Sequence, residues 1–143
     1  MNYFECKISY DKMMDTGVQK RVTEAYLVDA LSFTEAEARL YEEIKHATGE
    51  FMVANIKRAK LGELFLDETG DRYYKAKVLF ISLDEKSGAE KKTAVNMIAQ
   101  ATDIKGAIAA IENGMKSTMS DYVIASVAET LIMDVFPFKA DKE

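Results

Sequence analysis

The side chains able to do chemistry in this chain are few, and most of them stand alone. Its one histidine, His46, and its one cysteine, Cys6, lie far apart in sequence. That separation gives no support to a Cys-His nucleophile pair or to a soft-metal site, which need such ligands brought together. His46 falls in the last turn of an expected helix, where an imidazolium interacts favourably with the helix dipole. Cys6 reads as a small apolar strand residue, and a lone cysteine excludes an intramolecular disulfide, as suits a reducing compartment. Glu35, Glu37, Glu42 and Glu43 are close in sequence, but their spacing describes a solvated helix face and not the convergent oxygen cage of a hard cation. The glycines form neither the dinucleotide-binding pattern nor a phosphate loop ending in Gly-Lys-Ser/Thr. No catalytic, metal or cofactor set is therefore expected, and the chain reads as noncatalytic.

The basic residues make the one constellation with a functional direction. Lys57, Arg58 and Lys60 close an expected third strand, Lys20 and Arg21 open a second strand, and Lys91 and Lys92 repeat that pair later in the chain. Lys7, Lys75 and Lys77 add cations at alternating strand positions, with Tyr3, Tyr73 and Tyr74 beside them. Sheet cations interleaved with aromatic rings can follow a phosphate backbone while bases stack on the rings. The competing account is that these lysines solvate outward faces and protect edges, with the tyrosines half-buried. No basic strip at Ala128-Glu129-Thr130 matches Lys57-Arg58-Ala59, so any such surface is asymmetric.

Charge limits the scale of that attraction. The chain has 143 residues and a net charge of −5. Up to Asp71 it carries 9 Lys and Arg against 14 Asp and Glu, and beyond it 10 against 10. Global attraction to nucleic acid or anionic lipid is not expected, while a local strip is compatible with these totals. Hydrophobic residues at 48% and charged residues at 30% are those of an ordinary globular chain. The first residues lack a basic and then apolar leader, and no apolar run approaches the roughly 18 residues that span a bilayer. A cytoplasmic location without a membrane partner is expected.

The elements that must hold these residues are marked by local signals. Phe4, Cys6, Ile8 and Tyr10 alternate with Glu5, Lys7, Ser9 and Asp11, the period of a half-buried strand. Asp15-Thr16-Gly17 turns the chain into a second strand through Val22, Glu24, Tyr26 and Val28. Ser32 is a favoured N-cap, with Glu35 placed for a capping box, and Ala36, Leu40 and Ile44 give the helix that follows an apolar stripe. Gly49 suits its end. Phe51 to Ile56 is apolar on both faces, the pattern of an interior strand.

The same order returns about 70 residues later. Tyr3 to Ile8 resembles Tyr73 to Val78 at a spacing of 70, and from Gly17 onward the correspondence continues at 71. Lys86-Ser87-Gly88 supplies the turn, Asp103 the N-cap, Ala107, Ile111 and Met115 the stripe, and Tyr122 to Val127 the third strand; Gly114 weakens the second helix near its end. The predicted fold class is α+β: a tandem duplication of a β-β-α-β unit, forming a mainly antiparallel sheet with two helices packed on it. The expected organisation is a single domain over 1–143 made of two fused repeats, about 3–66 and 73–136. Leu64-Phe65-Leu66 and the polar Asp67 to Asp71 are expected to form a hairpin connection into Arg72-Tyr73-Tyr74, and Pro137 to end the last strand.

Four stretches carry a family resemblance: Tyr26-Leu27-Val28-Asp29-Ala30-Leu31-Ser32-Phe33-Thr34-Glu35-Ala36-Glu37, Ile56-Lys57-Arg58-Ala59-Lys60, Leu83-Asp84-Glu85-Lys86-Ser87-Gly88 and Met133-Asp134-Val135-Phe136. In these the chain resembles an uncharacterised domain-of-unknown-function family of short bacterial proteins. The resemblance covers nearly the whole chain and implies no activity and no functional residues. From the residues alone, the expected function is a noncatalytic nucleic-acid-binding accessory module for single strands, using Lys57, Arg58, Lys60, Lys20, Arg21, Lys91, Lys92, Tyr73 and Tyr74. The alternative is a protein-interaction or self-assembling module that forms a homo-oligomer. A small enzyme with a pocket that spacing does not reveal is the third reading.

Overall fold

Alternating apolar residues, two cap residues and glycine turns build every element of the computed structural model, which describes residues 2–138. The chain runs β1 (Tyr3–Met13), β2 (Gln19–Asp29), α1 (Phe33–Thr48), β3 (Met52–Ala59) and β4 (Glu63–Phe65). It continues through β5 (Arg72–Leu83), β6 (Glu90–Ala101), α2 (Ile104–Gly114), β7 (Asp121–Glu129) and β8 (Ile132–Phe136). These elements make two units, one comprising residues up to Ala59 together with those from Leu131 on, the other Lys60–Thr130. The fold is α+β, with two helices and two four-stranded mixed sheets.

In the first unit the strand order is β3-β1-β2-β8. β1 and β2 form a long antiparallel hairpin from Tyr3 opposite Asp29 to Met13 opposite Gln19. Gly17 holds the turn at a φ of 82°, a left-handed conformation that side chains with a Cβ disfavour. One face of this sheet carries Phe4, Cys6, Ile8, Tyr26 and Val28, which pack with Ala36, Leu40 and Ile44 of α1. The helix starts where its cap residue directs: Ser32 Oγ accepts from the Glu35 N–H at 3.1 Å, and the Glu35 carboxylate accepts from the Leu31 N–H at 3.3 Å. Gly49, at a φ of 71°, ends it. The side chain of His46 lies outside the described residues.

The second unit has the order β4-β6-β5-β7. Tyr74, Ala76, Val78, Met97 and Ala99 face Ala107, Ile111 and Met115. Asp103 caps α2 by accepting from the Gly106 N–H at 2.7 Å, and Gly114 closes it where a Cβ would strike the Phe65 ring. That glycine is a packing requirement as well as a weak helix residue.

The registers of the two units correspond. Phe4 faces Arg58 and Tyr74 faces Glu129, and the pairing slips at Lys7/Ile8 in one sheet and at Lys77/Val78 in the other.

Three expectations are corrected. The strands form two sheets and not one, each with two antiparallel pairings and one parallel pair, β2 with β8 and β4 with β6. Leu64 and Phe65 do not form a hairpin into Arg72: β4 lies parallel to β6, with Phe65 opposite Ala99. The last short strand of each half of the sequence thus completes the sheet of the other half. β3 and β7 are edge strands and not interior ones. Their inner residues Val53, Ile56, Ile124 and Val127 join the cores, while Met52 and Val123 remain exposed. An apolar run on both faces therefore did not mean burial on both faces. Pro137 follows β8 as expected, and its carbonyl accepts from Arg39 at 3.1 Å, tying the end of β8 to α1.

Candidate nucleic-acid interface

A strand turns successive side chains to opposite faces, and this alternation decides where the basic residues go. Lys57 and Arg58 are neighbours on β3 but point apart. Lys57 lies on the face away from α1, opposite Glu5, with its Nζ 3.8 Å from the Glu5 carboxylate. Arg58 lies on the helix side, its guanidinium 5.1 Å from the centre of the Phe4 ring. Lys20 and Arg21 divide in the same way. Lys20 stands opposite Lys12, whereas Arg21 is paired with Asp11 at 3.3 Å on the helix-free face. Lys91, opposite Ser82, and Lys92, opposite Ile81, also lie on opposite faces of β6. Lys60 is exposed in the connection leading to β4 and belongs to the second unit.

Tyr73 and Tyr74 are 5% and 3% exposed. Tyr74 is part of the core around α2, and the Tyr3 ring is buried in the first unit. None of these rings offers an open face for a base, so the stacking part of the sequence reading has no surface to act on here.

What the fold does bring together is the alternating set. Lys75 and Lys77, two residues apart on β5, and Lys92 on β6 share the helix-free face of the second sheet, and all three are exposed. Strand geometry spaces the first two by about 7 Å. Lys75 stands opposite Ile98 and Lys77 opposite Asn96, Leu79 and Ile81 lie between Lys77 and Lys92, and Ser126 and Ala128 of β7 flank the first two lysines. Among the described residues, none of the three lysines has a carboxylate within ion-pair distance. Asp121 and Glu90 share the face near Lys92, Glu90 two residues before it on β6 and Asp121 on β7 in the same row, across Ile81.

The corresponding face of the first sheet differs. There Glu5 neutralises Lys57, Asp11 neutralises Arg21, and Lys7 is half-buried. Lys75 occupies the place that Glu5 holds in the first unit, so one position changes sign between the two sheets. The sequence signal for this surface is the period-two repeat of Lys75 and Lys77, not the contiguous basic pairs that stand out on first inspection.

An open groove of about 710 Å³ lies at the end of α1, lined among others by Arg21, Lys45, Asp11 and Glu50, with Tyr41 stacked on Phe51 at 4.8 Å. Its charges alternate in sign, so it provides no focused cation or anion site. Among the described residues no three His, Cys, Asp or Glu side chains group as a metal site. Also among them, no helix is long and apolar enough to cross a membrane.

Comparison with curated proteins gives no match, and comparison with solved structures gives none either. A family model does match, over residues 2–138, which takes in both sheets, both helices and the lysine-bearing face. The chain belongs to the family described as Domain of unknown function (DUF4494).

Proposed function

We propose that this protein is a noncatalytic nucleic-acid-binding accessory module that holds a single strand by its phosphates. The observation that carries the reading is that Lys75 and Lys77 are exposed on one helix-free sheet face, with Lys92 further along it, and that among the described residues none of the three has a carboxylate within ion-pair distance. Phosphate contact of this kind positions a strand without reading its sequence, and the buried tyrosines make stacking a small part of it. A cytoplasmic site of action belongs to the same reading.

The matched registers and matched slips of the two sheets support a tandem duplication of a β-β-α-β unit as the origin of the chain, within a single domain of two fused repeats. On that reading the first copy kept a neutral face, and the second carries the ligand.

Fluorescence anisotropy with labelled single-stranded DNA and RNA, at low and at physiological salt, tests the proposal. Three phosphate contacts give a slope of log K against log salt of about −2. Lys75→Glu/Lys77→Glu is expected to abolish binding, and Lys57→Glu/Arg58→Glu to change it little. Absence of binding at about 100 μM and low salt, or equal loss in both variants, would overturn the assignment of this face.

A further inference from the structure

β4 covers only the end of β6. It pairs with Met97 to Ala99, and the Gly62 N–H reaches the Asn96 carbonyl at 2.9 Å. Before Asn96, residues Glu90 to Val95 are paired with β5 on one side, and among the described residues nothing pairs with them on the other. The direction of the Asn96 carbonyl fixes the alternation: the backbone of Ala94, Lys92 and Glu90 also faces the open side. Six uncovered residues match the length of an ordinary strand. The pairing of β5 with β6 continues without a slip from Arg72/Ala101 to Leu83/Glu90, so this edge is straight, whereas the slip in this sheet lies on the β7 side.

We infer that the open edge of β6 takes an extended acidic peptide segment of a partner protein as an added strand. Such a strand exchanges main-chain hydrogen bonds with Lys92 and Ala94, the mode called β-augmentation. Its side chains would alternate between the two faces, meeting Lys92 and its neighbour Glu90 on one and Lys91 on the other. Lysines on an edge ordinarily repel like strands. A second copy laid antiparallel and centred on Lys92 brings Lys92 against its own counterpart, whereas a glutamate there is neutralised. The equivalent edge of β2, Gln19 to Glu24, is less suited because Arg21 is already paired with Asp11. This inference concerns the strand edge and stands apart from the phosphate-binding face.

The probe is a fluorescein-labelled, end-capped heptapeptide alternating glutamate with valine. Its control is the same peptide N-methylated at alternate residues, which keeps the charge and removes main-chain donors. The plain peptide is expected to bind saturably and the methylated one about tenfold more weakly. Ala94→Pro deletes an N–H that faces the open side and leaves the bonds to β5 intact, and it should weaken the peptide by a similar factor while nucleic-acid binding persists. Equal binding of both peptides would place the acidic chain on the lysine face and overturn the edge assignment, as would no binding at all. A doubled mass in light scattering that Ala94→Pro returns to 16.0 kDa would make a second copy the occupant and overturn it as well. The methylated control uses the unaltered chain, so the test survives if Ala94→Pro does not fold.

Discussion

Cys6 and Tyr26 face each other across β1 and β2, with Cys6 fully buried. Burial pushes the Cys6 thiol up to about 12. Tyr26 is also pushed up to about 12, by burial first and then by the Glu24 carboxylate. In the unfolded chain both groups lose their protons at lower pH than in the native state. Their contribution to stability is therefore complete below about pH 9 and declines as pH rises from there toward 12. Denaturation midpoints should fall above about pH 9 and more steeply above about pH 10, and Cys6→Ala should remove the earlier part of the decline. A thiol reagent at about pH 8 should react with the native protein only at the rate of its opening. At this scale the sequence was informative about Cys6, whose alternation with Glu5 and Lys7 places it inward. It was less so about the lysines, because adjacent cations look like a patch in one dimension and are divided by the pleat in three. The buried tyrosines were misjudged for a similar reason, since their spacing is that of strand residues and does not say how deeply each face is covered.

The two helices begin at residues chosen for that purpose, and the caps carry a measurable share of stability. Ser32→Ala or Asp103→Ala removes the acceptor for one orphan N–H and should cost about 1 kcal/mol each in chemical denaturation. Gly114 makes a different demand. A methyl group there meets the Phe65 ring, so Gly114→Ala should destabilise the second unit by about 1–3 kcal/mol despite improving helix propensity. Phe65→Leu in the same chain should recover part of the loss. The sign of that double-mutant coupling, read from thermal melts, separates packing from propensity. Strand and helix positions were legible because each rests on local chemistry: alternation, an N-cap, a glycine turn. The short strands β4 and β8 were not, because three to five residues beside a turn carry too little periodicity to name their partner. Their pairing is a long-range choice settled by where Phe65 and Phe136 find a core.

At the level of the whole chain, β8 belongs to the first unit although it is made last. Ile132 and Val135 are buried there, the Phe136 ring stacks on Tyr26 at 5.8 Å, and Arg39 holds the Pro137 carbonyl. Stopping the chain after Thr130 should leave β5, β6, β7 and α2 protected in amide exchange and strip protection from β1 and β2. Losing Ile132 and Val135 alone costs about 3–6 kcal/mol, a large share of the stability of a domain of ordinary size. Equal loss in both units would show that the damage is not confined to the sheet that β8 completes.

The exchange of these short strands also bears on how the chain can change over generations. Each half of the sequence carries three strands of its own sheet and a fourth that completes the other, so separating the halves at the midpoint takes one strand from each sheet. Loss of either half therefore takes a strand from the sheet that remains, which ties the two halves together in inheritance. Variation is left to the places that no pairing constrains: the two hairpin tips, and the charges on the helix-free faces.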